Sequence, residues 1–305
     1  MKRIFLLIAT NFAVLLLLSV VIQLFGIDNW LAQRGQNYEA LLFISAIFGF
    51  GGAFISLLIS KWMAKVSMGV KVIGQPSNEA EQWLVATVRA HAQKAGIGMP
   101  EVGVFDSPDP NAFATGASRN SSLVAVSTGL LRNMRRNEVE AVLGHEIAHV
   151  ANGDMVTLTL IQGVLNTFVI FLARIIGGLV DSALRGNNGG NNESRGGGVG
   201  YFMTVLFAQM VLGIFASMIV AWFSRRREFR ADAGGAELAG THSMVGALEA
   251  LKRAHTPSQL PESMKAFGIN SERPGAFQRL LMSHPPLDER IAALEQRTAP
   301  MGRAS

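Results

Sequence analysis

The 305-residue chain contains no cysteine and is poor in charged residues, which make up 16% of it. The absence of cysteine excludes a disulfide framework, a cysteine-ligated zinc or iron–sulfur site, and a cysteine nucleophile. The charged share lies well below the roughly 25% of an average soluble domain. The net charge is +5, but no long Lys/Arg run is interleaved with aromatic residues, so no nucleic-acid partner is expected.

Four apolar windows account for the low charge content. They are Ile4–Phe25, Ala40–Ser60, Met155–Val180 and Val199–Phe223. Arg174 is the one charged residue inside them, and the rest of the chain has the polarity of an ordinary soluble domain. Each window meets the roughly 20 residues that a helix needs to cross a bilayer. The sequence therefore predicts an integral membrane protein with about four transmembrane helices in contact with the lipid bilayer.

Basic residues cluster at one end of three of these windows. They are Lys2 and Arg3 before the first, Lys61, Lys65 and Lys71 after the second, and Arg225, Arg226, Arg227 and Arg230 after the fourth. Because Lys and Arg concentrate on the cytoplasmic side, both termini and residues 61–154 are predicted to be cytoplasmic. The first window is too long for a signal peptide and is interpreted as a retained anchor. A charge such as that of Arg174 is costly inside a bilayer. An alternative for residues 155–223 is therefore a helical hairpin that packs partly on the soluble domain instead of spanning the membrane.

Two helices are predicted on either side of a short β region. Gln75–Gly96 has apolar residues at helical spacing, and Glu138–Ala151 does so too, with Gly153 as its stop. The predicted capping boxes at their starts are Asn78 with Glu81 and Asn137 with Glu140.

Short alternating or β-branched runs between those helices predict strands at Glu101–Phe105 and Ser122–Ser127. Pro108 and Pro110 lie between them, and proline has no N–H to give to a central strand. The intervening piece is therefore predicted to be a loop that leads to an edge strand.

The sequence His145-Glu-Ile-Ala-His149 lies on the second predicted helix and is the strongest functional signal in the chain. Residues four apart lie on one helix face, so His145 and His149 can offer two imidazole nitrogens to one metal ion. Glu146 is placed to act as the general base of a zinc peptidase. The alternative is a polar patch on a solvated helix.

A catalytic zinc site needs a third protein ligand and an open position. With no cysteine, that ligand is a distant carboxylate or another histidine: His91, His242, His255 or His284. Glu228 is the best candidate, and Asp232 is on the same helix face four residues later. By spacing alone, pairing of both carboxylates with the neighbouring arginines is equally well supported. Gly234 and Gly235 follow on that helix and are predicted to permit close packing.

Taken together, these motifs resemble those of the HtpX family of bacterial membrane zinc metalloproteases, which is related to the CAAX prenyl proteases of eukaryotes. The resemblance covers nearly the whole chain. It rests on two leading membrane segments, the Asn111-Ala112-Phe113 motif, the His145–His149 motif, a hydrophobic pair, Glu228-Phe-Arg-Ala-Asp232, and His284-Pro-Pro-x-x-x-Arg290.

The resemblance implies roles that the residues alone do not give. It implies Glu228 as the third ligand of a single Zn²⁺ and Asp232 as the partner of a ligand imidazole. It also implies that Asn111, Ala112 and Phe113 belong to an edge strand that binds extended substrate. His284 is implied to stabilise the oxyanion; its alternative is a helix-start residue before Pro285. His91, His242 and His255 are interpreted as surface histidines.

The sequence thus predicts a mainly α fold with a small β-sheet and a gluzincin-like protease domain. The expected segments are a transmembrane pair (1–60), a first protease half (61–154), a hydrophobic hairpin (155–223) and a second protease half (224–305). The expected function is zinc-dependent cleavage of misfolded or damaged membrane proteins and unfolded polypeptides at the cytoplasmic face of the bacterial inner membrane, in stress response. A CAAX-type processing protease and a non-catalytic zinc scaffold are the alternatives. No feature of the sequence specifies an oligomeric state.

Overall fold

The computed structural model describes residues 37–186, 199–255 and 280–298. The helices are α1 (Tyr38–Ser67), α2 (Glu79–Ala95), α3 (Thr128–Asn133), α4 (Arg136–Asn152), α5 (Asp154–Gly186), α6 (Val199–Ala239), α7 (Thr241–His255) and α8 (Leu287–Thr298). The strands are β1 (Lys71–Val72), β2 (Glu101–Phe105), β3 (Ala112–Ser118) and β4 (Ser121–Ser127). The expected fold class, mainly helical with a small sheet, is confirmed. The window Ile4–Phe25 lies outside the described residues.

Among the described residues, three helices are long and apolar enough to cross a membrane: α1, residues Asp154–Ala183 of α5, and α6. They contain the second, third and fourth apolar windows. The fourth window ends at Phe223, whereas α6 continues to Ala239. One uninterrupted helix therefore leads from an apolar segment to Glu228 and Asp232.

The chain divides into two compact units. Of the described residues, the first unit comprises 37–56, 157–186 and 199–220, and the second comprises 57–156, 221–255 and 280–298. Small residues let helices of the first unit approach closely. A Cβ on Gly49 would lie 2.6 Å from the backbone nitrogen of Thr167, and one on Gly163 would lie 2.6 Å from the ring of Phe50.

The four strands form one mixed sheet in the order β1-β2-β4-β3. β2 runs parallel to β4, while β1 and β3 are antiparallel to their neighbours. The predicted strand Glu101–Phe105 is confirmed, and the second predicted strand begins one residue earlier, at Ser121. The proline-containing loop leads, as predicted, to a strand at the sheet edge, β3.

α2 begins at Glu79, four residues after the predicted Gln75 but directly after the predicted cap Asn78, and it ends at Gly96 as predicted. The Asn78 side chain accepts a hydrogen bond from the Glu81 N–H at 2.9 Å, and Gly96 ends the helix with φ of 66°. The capping box is only half formed, because the Glu81 carboxylate accepts from the N–H and hydroxyl of Ser77 instead of the N–H of Asn78.

α4 begins two residues before the predicted start, at Arg136. Its N-cap is Arg135, whose N–H donates to the Glu138 carboxylate at 2.8 Å. The predicted box at Asn137 is therefore wrong, since Asn137 already lies in the first turn. Gly153 ends the helix as predicted: its φ is 71°, a left-handed value that glycine adopts without steric cost, and its N–H donates to the Val150 carbonyl.

The main hydrophobic core lies around α4, where Leu143 and Ile147 are fully buried. His91 belongs to this interior and is only 3% exposed, so its interpretation as a surface histidine is wrong. It follows Leu84 and Val88 on the buried face of α2, and its Nε2 lies 3.1 Å from the Glu140 carbonyl oxygen. His242 is exposed as expected, and the side chain of His255 lies outside the described residues.

Glycines bring α6 against α4. A Cβ on Gly144 would lie 3.3 Å from the Cα of Gly235, one on Gly235 would lie 3.0 Å from the His145 nitrogen, and one on Gly234 would lie 2.6 Å from the Ala148 Cβ. The predicted close packing at Gly234 and Gly235 is confirmed. It sets α6 within side-chain reach of His145.

We expect Gly234→Ala to destabilise the protein by about 1–3 kcal/mol, because its Cβ would force the two helices apart. Gly246→Ala in α7 is the matched control, since its Cβ would meet atoms no closer than 3.8 Å and alanine favours a helix by up to about 1 kcal/mol. Thermal unfolding in detergent should give a lower Tm for the first variant only. Equal Tm values for the two variants would contradict the packing.

Candidate metal centre

His145 and His149 lie one turn apart on α4 and direct their Nε2 atoms to the same point. The two Nε2 atoms are 3.1 Å apart, and the rings meet edge to face at an interplanar angle of 88°. This is the arrangement that the four-residue spacing predicts.

Glu228 brings a carboxylate from α6 to those two nitrogens. Its Oε1 lies 3.3 Å from Nε2 of His149, and its Oε2 lies 3.5 Å from Nε2 of His145. A tetrahedral ion with bonds of 2.0–2.1 Å needs ligand atoms about 3.3 Å apart. Each imidazole nitrogen therefore lies at about this distance from one oxygen of the Glu228 carboxylate, and the three side chains can hold a metal ion between them.

Each imidazole also has a carboxylate at its other nitrogen. Nδ1 of His145 lies 2.9 Å from Oδ1 of Asp232, and Nδ1 of His149 lies 2.7 Å from Oδ2 of Asp154. An imidazole that donates from Nδ1 keeps the lone pair of Nε2 for a metal. The two acids thus fix the tautomer that metal binding requires.

Sequence reasoning did not find Asp154. It lies five residues after His149, a spacing that does not place two side chains on one face of a continuous helix. The contact forms because Gly153 ends α4 and α5 starts at Asp154. The only sequence signal was an acid directly after a helix-ending glycine.

Arg290 is a second site residue to which the sequence analysis gave no role. Its guanidinium is buried and donates to both oxygens of Asp232, at 2.8 Å from Nε and 2.5 Å from Nη2. Its Nη1 lies 3.3 Å from Oε2 of Glu228. One cation therefore balances two buried carboxylates of the centre and fixes the orientation of Asp232.

Glu146 and His284 are more exposed than the buried His145 and Glu228. Glu146 follows His145 on α4 and is half-buried. The side chain of His284 is 62% exposed, although its Nδ1 lies 2.8 Å from Oε2 of Glu228. His284 therefore contacts Glu228 while most of its ring stays open to solvent.

The edge strand β3 lies against α4. The Asn111 carbonyl accepts a bond from the Ser127 N–H at 2.8 Å. Because inward and outward backbone groups alternate along an antiparallel strand, Ala112 and Ala114 direct their N–H and C=O to the open edge. Their side chains pack on the core beside α4, whereas Phe113 packs on the opposite sheet face.

The buried carboxylates raise the pKa of both imidazoles. Burial lowers the pKa of His149, but hydrogen bonds with Asp154 and Glu228 outweigh it and raise this pKa to about 10. The pKa of His145 is likewise raised despite burial, through hydrogen bonds with Asp232 and Glu228. At neutral pH, a metal ion must displace a proton from His149.

Residues 78–298 match the model of peptidase family M48. The chain belongs to peptidase family M48. This M48 chain is 60% identical to a Protease HtpX of Thioalkalivibrio sulfidiphilus over 297 residues, which are 97% of this chain and 99% of the relative. It is 58% identical over 296 residues to a Protease HtpX of Stenotrophomonas maltophilia, with 97% and 98% covered. Membership in the HtpX family is confirmed.

The fold of the M48 chain is also that of a solved structure, the crystal structure of S. mikatae Ste24p. The TM-score is 0.61 at 19% identity, and the match covers 97% of this chain and 67% of the other. The family, the apolar helices and the metal-binding group together make the M48 chain a membrane metalloprotease with polypeptide substrates.

We expect metal binding to release at least one proton per ion near pH 7, because His149 with its pKa of about 10 must lose one. The apparent affinity should then rise about tenfold per pH unit between pH 6 and 9. Calorimetry of metal binding in buffers of different ionisation enthalpy measures this release. A binding enthalpy independent of the buffer would contradict the raised pKa of His149.

Proposed function

We propose that the protein is a zinc-dependent endopeptidase whose single zinc ion is held by His145, His149 and Glu228. The observation that carries the proposal is the convergence of the three side chains: the two Nε2 atoms lie 3.1 Å apart, and each lies 3.3 or 3.5 Å from a different oxygen of Glu228. Two imidazoles and one carboxylate are a donor set of catalytic zinc sites, and three protein ligands leave a fourth position for substrate or water. A structural zinc site would be closed by four protein ligands.

A zinc ion in this position supplies Lewis-acid chemistry, which polarises the scissile carbonyl and makes water acidic enough to attack near neutral pH. Glu146 follows His145 on the same helix and is half-buried. It takes a proton from the attacking water and gives it to the leaving amine, first as base and then as acid. Asp232 and Asp154 keep the two imidazoles oriented throughout.

His284 is proposed to donate a hydrogen bond to the oxyanion that forms at the scissile carbonyl. Its Nδ1 lies 2.8 Å from the Glu228 carboxylate, so its Nε2 is the atom that faces substrate. Donation from both nitrogens requires the imidazolium form, which carries a proton on each. The exposure of this ring supports the role, because a substrate carbonyl must reach it from solvent. A donor of this kind typically contributes 10²- to 10³-fold to kcat.

Asn111, Ala112 and Phe113 are proposed to begin the substrate-binding edge. An extended substrate would add to β3 as a further strand and exchange hydrogen bonds with the backbones of Ala112 and Ala114. Such β-augmentation derives affinity from main-chain groups and makes little demand on sequence. The usable edge is short, because the register shifts between Gly116 and Ser118.

The substrates are proposed to be misfolded or damaged membrane proteins, since recognition of backbone selects for unfolded, extended segments. The positions of the basic clusters favour cleavage at the cytoplasmic face of the bacterial inner membrane. The expected setting is protein quality control under stress.

The two alternative functions are not favoured. A non-catalytic scaffold disagrees with membership in a peptidase family. A narrow CAAX-type processing role is not favoured by the reported relatives at 58–60% identity, each of which is named Protease HtpX. The likeness to Ste24p, at 19% identity, concerns the fold.

We expect Glu146→Gln to lower casein cleavage by the purified protein at least 10³-fold while one zinc per chain is retained, because only the proton carrier is lost. Glu228→Ala should lose the zinc as well, since it removes a ligand. Cleavage rates and metal content measured on the same preparations separate the two effects. Wild-type cleavage by Glu146→Gln, or full zinc in Glu228→Ala, would contradict the assignments.

We expect Ala114→Pro to raise the KM for an extended peptide about tenfold, because proline removes an N–H that points to the open edge. Pairing with β4 should survive, since that N–H makes no bond to β4. Ala114→Val adds a branched side chain but keeps the N–H, and it should change KM less. Equal KM values for the two variants would count against strand addition at β3.

A further inference from the structure

Three consecutive arginines follow the apolar part of α6, and each contacts a different part of the second unit. Arg225 donates from Nη1 to the carbonyls of Met282 at 2.7 Å and Leu280 at 3.2 Å. The guanidinium of Arg226 lies over the Trp222 ring, 4.4 Å from its centroid. Arg227 donates from Nη1 to the Asp154 carbonyl at 2.9 Å and from Nη2 to the Ser224 hydroxyl at 3.2 Å.

We propose that Arg225 and Arg227 are positioning residues of the metal centre, whereas Arg226 is not. Arg225 holds the segment that carries His284, and Arg227 holds Asp154, the partner of His149. This proposal rests on the proposed function, because the two arginines can position a metal centre only if the centre binds metal and is catalytic. The basic cluster after the fourth apolar window, which indicates membrane orientation by the positive-inside rule, would then also help to position the metal centre.

Arg225 and Glu228 are three residues apart and lie on the same side of α6. Glu228 meets Nδ1 of His284, and Arg225 meets carbonyls two and four residues earlier in the same segment. α6 therefore holds this segment at two points. Since the His284 side chain is mostly exposed, packing alone restricts it little, and the backbone contacts to Arg225 supply the restraint.

A guanidinium suits this position for a physical reason. Its planar, fixed donors can bind two carbonyl oxygens together, whereas a lysine ammonium is a mobile point charge on a flexible stem. The acceptors are main-chain carbonyls, so the contact requires no particular residue at positions 280 and 282. Arg225→Lys should therefore restore part of what Arg225→Ala loses.

Arg227 acts on the other side of the centre. Asp154 is the first residue of α5 and is buried. Its carboxylate accepts from Nδ1 of His149, while its carbonyl accepts from Arg227. The guanidinium thereby fixes the helix start that aims this carboxylate, and it does so from the helix that carries Glu228. Loss of Arg227 should weaken metal binding, whereas loss of Arg225 should slow catalysis.

The test compares Arg225→Ala, Arg226→Ala and Arg227→Ala, each of which removes one positive charge from the same cluster. Arg225→Ala should lower kcat at least tenfold with an unchanged zinc Kd, and peptides that cover residues 280–290 should exchange amide hydrogen faster. Arg227→Ala should weaken the zinc Kd about 10- to 100-fold. Arg226→Ala should match the wild type in kcat, zinc Kd and exchange.

A double variant separates positioning from general destabilisation. If Arg225 acts through His284, Arg225→Ala in a His284→Ala background should lower kcat no further, and Arg225→Lys should recover part of the loss. Additive losses, or equal losses in Arg226→Ala, would overturn the assignment of Arg225. An unchanged zinc Kd in Arg227→Ala would overturn that of Arg227. Wild-type cleavage by Glu146→Gln would instead overturn the proposed function, while zinc Kd and exchange would still test both arginines.

Discussion

Two imidazole nitrogens and one carboxylate from two helices converge in this protein, with 3.1 Å between the nitrogens and 3.3 and 3.5 Å from them to the two carboxylate oxygens. Contacts within the second unit hold these groups in place. His145 and His149 come from α4, while Glu228 comes from α6. Buried carboxylates and imidazoles at such distances are stable only when each remaining polar atom has a partner. Asp232, Asp154 and Arg290 supply those partners, and glycine contacts let the two helices approach closely enough for the side chains to meet.

The order of these groups along the chain explains why the site depends on helix ends as much as on helix faces. The end of α4 at Gly153 turns Asp154 back to His149, and the uninterrupted α6 carries its helical register from the apolar segment through Arg225 to Asp232. A change that extends α4 would therefore separate Asp154 from His149, and one that interrupts α6 would displace Glu228 from the two imidazoles. The left-handed backbone at Gly153 therefore affects metal binding.

Local chemistry could be predicted from the sequence, and long-range geometry could not. The four-residue spacing of His145 and His149 implies their shared face, and the same spacing marks Glu228 and Asp232 as a pair. The resemblance to a known family was needed to prefer Glu228 as the ligand, because its arginine neighbours offered an equal explanation. The roles of Asp154 and Arg290 could not be predicted, because their contacts arise from the break between two helices and from the packing of α8. His91 was misassigned because one polar residue hardly changes the pattern of an apolar helix face.

We infer that one zinc ion is bound by two imidazoles and the Glu228 carboxylate with a fourth position open. X-ray absorption at the zinc edge of the purified, zinc-loaded protein tests it most directly. We expect a four-coordinate ion with nitrogen and oxygen ligands at about 2.0–2.1 Å and the outer-sphere scattering of two imidazoles. A shell of oxygen atoms alone, or scattering from more than two imidazoles, would contradict it.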